Sequence, residues 1–261
     1  MFDFKPGNSP LLVSVPHSGT NLAEGQGEGM TEPGRKLVDT DWHVDRLYAF
    51  AADLGASLLV AHNSRYVVDL NRSPDDRPLY PGAGTGLVPL ETFSGKPLYR
   101  SGREPDEAEK SIRVEACWRP YHDKLKVELD RLVADHGHAV LLDGHSIASR
   151  VPRLFDGRLP DLNLGTYDGK SCSEPLASRA AEVLASNEAF SFVRDGRFKG
   201  GYITRNYGRP DKGVHALQLE IAQACYMDES RPETFDPDRA APLVSHLEAL
   251  VESLCEWSPD S

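Results

Sequence analysis

Apolar positions recur along the chain in two rhythms. Short, nearly unbroken apolar runs occur at about 11–16, 57–61, 66–70, 138–142 and 215–221, and a shorter one at 190–193. Runs of that length, rich in Val, Ile and Leu, suit strands covered on both faces. The second rhythm is helical. Val44, Leu47, Phe50, Ala51 and Leu54 share one face of a predicted helix that Thr40 or Asp41 caps and Gly55 stops. Leu125, Leu129, Leu132 and Val133 do the same within a helical stretch over about 105–136. Further helices are predicted over 174–187, which is rich in Ala, and over about 239–256. Residues 1–10 read as a lead-in, 18–38 as a long loop with room for a short helix, 73–104 as a long ordered loop or a lid, 150–171 as a loop, and 196–208 as a Gly-rich basic stretch. Strands alternating with helices predict a single α/β domain over 1–261, a mostly parallel mixed sheet flanked by helices.

Two of the predicted strands run into an imidazole. The 11–16 run leads to Pro16-His17-Ser18-Gly19, and the 138–142 run to Asp143-Gly144-His145-Ser146, where Gly144 lets the backbone turn sharply or approach another group closely. Ligands of open α/β sheets bind at the carboxyl ends of strands. His17 and His145 are therefore candidate metal ligands, with Asp41 as the carboxylate and Asp39 as its competitor. Zinc accepts this donor set, and its catalytic sites keep one position open for water. As isolated residues, either His also fits a strand end bonded to backbone, and Asp41 a helix cap.

Glu220 lies inside the apolar run HALQLEIAQ. A desolvated carboxyl with a raised pKa suits a general base. The alternative is a solvated strand face, since Leu217, Leu219 and Ile221 turned inward leave Gln218 and Glu220 outward. Asn71-Arg72 follows the 66–70 run, and Arg offers a planar fork either for a substrate carboxylate or for Asp69, Asp75 or Asp76 in a surface network. The stretch 199–205, with two glycines, Lys199 and Arg205, can close over an anion.

Composition narrows the function classes. The chain has 261 residues, 39% hydrophobic and 26% charged, with a formal net charge of −11. That balance argues against nucleic-acid or anionic-membrane surfaces. No apolar run approaches the about 20 residues that span a bilayer. Four scattered cysteines and a start without a basic-then-apolar design predict a reducing, cytoplasmic setting. The glycine-rich piece at 82–86 matches neither phosphate-binding fingerprint, and no G-x-S-x-G elbow supports a serine hydrolase.

Together, PHSG at 16–19, DTDWHVDRLY at 39–48, SRYVVDLNR at 64–72, RPYHDKL at 119–125, DGHS at 143–146, LPDLNLGT at 159–166, FKGGYITRNYG at 198–208 and LQLEIAQACYMDE at 217–229 resemble the N-formylglutamate amidohydrolases. The resemblance implies a zinc carboxypeptidase-like fold and Zn2+-dependent hydrolysis of N-formyl-L-glutamate to formate and L-glutamate, a step of histidine degradation. It implies His17 and His145 as ligands, Asn71 and Arg72 as holders of a substrate carboxylate, and Glu220 as general base. The carboxypeptidase pattern puts a ligand Glu three residues after the first His. Thr20 stands there, so Asp41 is assigned as the third ligand. Arg72 and Arg205 are the assigned anchors for the two carboxylates, with Arg65 and Lys199 in reserve. A related amidohydrolase for another N-acyl amino acid, and a metal-free binder of acidic amino acids, are the competing readings.

Overall fold

The structure is a computed structural model and describes residues 1–77 and 85–259. Its centre is a mixed sheet of seven strands in the order β1-β3-β2-β4-β7-β5-β6. These are β1 (Phe2–Lys5), β2 (Leu11–Val15), β3 (Ser57–Ala61), β4 (Ala139–Ile147), β5 (Leu162–Gly165), β6 (Phe192–Arg194) and β7 (Val214–Ala222). Strand β2 pairs in parallel with β3 and β4, and β4 with β7, while β1 on β3 and β5 on β7 are antiparallel.

The described residues form eight α-helices: α1 (Gln26–Gly29), α2 (Glu32–Arg35), α3 (Val44–Leu47), α4 (Glu107–Arg113), α5 (Arg119–His136), α6 (Glu174–Ala185), α7 (Tyr202–Tyr207) and α8 (Pro237–Cys255). Leu243, Leu247, Leu250 and Leu254 of α8 are fully buried, a stripe at helical spacing. It packs with α6 and α3 on one sheet face, against Val13, Val140, Leu142, Leu217 and Leu219. Tyr121, Leu125, Leu129 and Leu132 of α5 cover the opposite face, against Leu12, Leu59, Leu141 and Ala216. Burial on both faces explains why β2 and β4 read as unbroken apolar runs rather than alternating ones.

Several predicted elements change. The 66–70 run is not a strand. Its carbonyls serve side chains instead: Tyr66 O accepts from Gln26 Nε2 and Leu70 O pairs with His122 Nε2, both at 2.8 Å. The 41–54 helix is split into α3 and a 3-10 turn at Ala49–Ala52, and Gly55 ends it with φ +85°. The 105–136 helix contains a π-helical stretch, Val114–Trp118, just before Pro120. Proline has no N–H and crowds the carbonyl four residues back, which favours the wider turn. Elements also form inside the segments without a period: β1 in 1–10, α1 and α2 in 18–38, β5 in 150–171 and α7 in 196–208. Of the 73–104 segment, Leu87, Val88, Leu98 and Tyr99 are buried, while 78–84 lie outside the described residues.

Candidate metal centre and substrate cavity

Alternation along β2, β4 and β7 sets a polar stripe into the α5 side of the sheet. Leu217, Leu219 and Ile221 face the α8 side, so Gln218 and Glu220 face the other, as do Asp143 and His145 two residues apart on β4. That face is not solvated at this end: Glu220 is 7% exposed and His145 3%. Strand β4 does not turn at Gly144 but runs on to Ile147. Glycine is required there for space, since a Cβ would lie 2.7 Å from Tyr48 Cε2.

His17, just beyond β2, Asp41, just before α3, and His145 on β4 converge, with donor atoms all within 4.8 Å of one another. Asp41 Oδ2 lies 3.0 Å from His145 Nδ1 and 3.7 Å from His17 Nδ1. The competitor Asp39 faces elsewhere: its Oδ2 accepts from Tyr66 Oη at 2.7 Å and the Phe93 amide at 2.8 Å. The far nitrogen of each ring meets a further carboxylate. His17 Nε2 is 2.9 Å from Asp69 Oδ1, and His145 Nε2 is 2.8 Å from Asp143 Oδ2. Carboxylate–imidazole pairs of this kind fix tautomer and ring orientation in metal sites. Arg65 bridges Asp41 Oδ1 at 3.0 Å and Asp69 Oδ2 at 2.9 Å.

This environment fits a divalent cation. His17 Nδ1 is buried without a hydrogen-bond partner and faces Asp41. Three buried carboxylates stand against one guanidinium, which leaves two negative charges to be met by positive charge at the imidazoles. Burial alone would raise the Asp41 carboxyl, but the His145 and His17 bonds outweigh it and hold it well below the usual carboxylate range. Burial likewise opposes charge on His145, yet Asp143 and Asp41 hold its pKa well above that of free imidazole. Glu220, by contrast, is pushed up to about 8 by burial.

The cluster opens into a cavity of about 350 Å³ lined by His17, His145 and Glu220 and by five basic side chains: Arg65, Arg72, Arg77, Arg197 and Lys199. Phe93, Ile147, Leu154 and Phe198 supply its apolar wall. The sequence profile of the N-formylglutamate amidohydrolases matches residues 9–227. The chain belongs to that family. It is 52% identical over 257 residues to an N-formylglutamate deformylase of Pseudomonas aeruginosa, covering 98% of this chain and 97% of that one. Against an N-formylglutamate deformylase of Pseudomonas putida it is 49% identical over 260 residues, covering 100% and 97%. The crystal structure of an N-formylglutamate amidohydrolase from Ralstonia eutropha superposes with a TM-score of 0.85 at 28% identity, covering 98% of this chain and 97% of that one. The mixed sheet and its flanking helices are consistent with a zinc carboxypeptidase-like fold.

Within this member of the amidohydrolase family, the predicted site residues separate. His17, Asp41, His145, Asn71, Arg72 and Glu220 meet at the cavity or its floor. Arg205 is not among the lining residues; its guanidinium stacks on Tyr167 at 4.6 Å and its Nε donates to Gly200 O at 2.8 Å. Arg72 reaches the cavity with Nε held by Thr85 O at 3.0 Å. Sequence reasoning missed Asp69, Asp143 and Arg197. Asp143 was findable, being two residues before His145 on one strand face, whereas Asp69 and Arg197 reach the site only through the path of their loops.

Proposed function

We propose that this chain hydrolyses N-formyl-L-glutamate to formate and L-glutamate, with a zinc ion held by His17, Asp41 and His145, as a cytoplasmic step of histidine degradation. The observation that carries the reading is the union of a buried His–Asp–His cluster with a cavity whose wall includes Arg72 and Arg197, in a chain whose net charge is −11. A small dicarboxylate is what such a local patch attracts against the global charge. The names of the Pseudomonas relatives support the same substrate.

When bound, the metal supplies Lewis acidity, acidifying water and polarising the formyl carbonyl. Glu220 is the group that moves the proton: it accepts one from the attacking water and returns it to the glutamate nitrogen. With a cation held by His17, Asp41 and His145, the raised pKa of Glu220 would fall toward the range of a working base. Arg72 holds one substrate carboxylate by charge-assisted bonds. Arg197 and Lys199 of the cavity wall, rather than Arg205, hold the other. Arg65 keeps Asp41 and Asp69 in place from behind.

Formate release from N-formyl-L-glutamate, measured with and without a chelator and after zinc is restored, tests the reading. A chelator-insensitive reaction overturns the metal; activity confined to other N-acyl amino acids in a substrate panel overturns the substrate.

A further inference from the structure

Asn71 enters the site as half of an Asn-Arg pair, but its surroundings give it another role. It is 4% exposed. Its Oδ1 accepts from the Ile203 amide at 2.8 Å, while its Nδ2 lies 3.3 Å from Asp143 Oδ2 and 2.9 Å from His145 Nε2. Its own backbone amide donates to Asp69 Oδ1 at 2.9 Å, the same oxygen that meets His17 Nε2. Its carbonyl accepts from the Tyr202 amide at 3.3 Å. One residue therefore touches the carboxylate partner of each imidazole and the first turn of α7. A carboxamide has one oxygen and two N–H donors. Here the oxygen serves Ile203, and the nitrogen faces Asp143 and the His145 ring edge. A substrate carboxylate reaching that nitrogen would have to share it with Asp143 and the His145 ring edge, both already within 3.3 Å.

We propose that Asn71 is a positioning residue: it locks the Asp69–His17 and Asp143–His145 pairs into one arrangement against α7, and so sets the affinity of the His17–Asp41–His145 group for its divalent cation rather than the affinity for substrate. The assignment rests on the metal reading above and is independent of which acyl amino acid is cleaved. Gly201 offers a second handle. Its backbone, at φ −86° and ψ −160°, suits any residue, yet a Cβ there would lie 2.3 Å from Asn71 Nδ2. Alanine at 201 therefore crowds the Asn71 amide without removing any charged side chain.

The test is zinc affinity by chelator competition, alongside steady-state kinetics at saturating zinc, for Asn71→Ala, Gly201→Ala and, for comparison, Arg72→Ala. Loss of a group that orients metal ligands lowers metal affinity by about 10–100-fold. That loss is expected for Asn71→Ala and Gly201→Ala, with KM at saturating zinc close to that of the unsubstituted enzyme. Arg72→Ala is expected to show the reverse. Zinc affinity unchanged in Asn71→Ala, with a raised KM, would overturn the assignment and return Asn71 to substrate binding. If Asn71→Ala does not fold, Gly201→Ala carries the same comparison. Because zinc binding is read without substrate, the result decides this assignment whether or not N-formylglutamate is hydrolysed.

Discussion

His145 on β4 and Glu220 on β7 are register partners, side by side on one face of the sheet. The pairing puts a metal-ligand candidate and the proposed general base on adjacent, rigid, buried strands, so neither depends on a loop for its position. Glu220→Gln keeps the shape and removes the proposed base. General acid–base catalysis is worth about 10²–10⁴-fold. The expected outcome is a loss of that size in kcat with zinc content unchanged, measured by steady-state kinetics and elemental analysis.

Arg72 and Arg205 look alike in sequence and differ in place. Arg72 lines the cavity, and Arg205 stacks on Tyr167 outside the lining. A charged hydrogen bond contributes about 1.5–3 kcal/mol. Arg72→Ala should therefore raise KM by about 10–100-fold with a smaller effect on kcat, while Arg205→Ala should leave KM nearly unchanged. Equal KM effects in the two variants would contradict this division.

Gly144 is a steric prediction. Alanine there drives a methyl into the ring of the fully buried Tyr48. Overpacking costs about 1–3 kcal/mol. Gly144→Ala should lower the denaturation midpoint accordingly, and the same substitution should cost less in a Tyr48→Val background than in the unsubstituted chain.

His122 makes a pH prediction. Burial lowers its pKa to about 3. Its ring lies between Tyr207 Oη, 3.0 Å from Nδ1, and Leu70 O, 2.8 Å from Nε2, and stacks on Trp118 at 3.7 Å. The folded state thus keeps this ring neutral while the unfolded chain takes up a proton near pH 6.5. Its contribution to stability is complete above about pH 6.5 and is lost as pH falls from there toward 3. The limiting slope is about 1.4 kcal/mol per pH unit. His122→Gln should flatten the acid limb of denaturation curves measured across that window.

The sheet was legible where apolar runs were long. The strands at 11–15, 57–61 and 215–221 follow directly from runs that only a doubly covered sheet can bury. The 66–70 run misled because Tyr66, Val67, Val68 and Leu70 are buried one by one in a winding loop, a burial that composition cannot separate from a strand's. Glu220 shows the opposite lesson. The alternation that suggested an outward Glu was correct about the face and silent about what covers it. The two His candidates carried a local signal, an imidazole near a strand's carboxyl end, whereas the places of Asp69 and Arg197 arise from loop paths, and that of Arg205 from the unpredicted helix α7, none of which a short-range pattern encodes.

The three ligand candidates come from segments that flank the central strands β2 and β4, more than 120 residues apart in the chain by the numbers of His17 and His145. An ion held there ties the first third of the polypeptide to its middle, as a rivet would. Binding to the native state alone stabilises by about 4 kcal/mol when free ligand exceeds Kd a thousandfold. Chelation should therefore lower the melting temperature as well as abolish turnover, and native-state hydrogen exchange should quicken first where β2 meets β4.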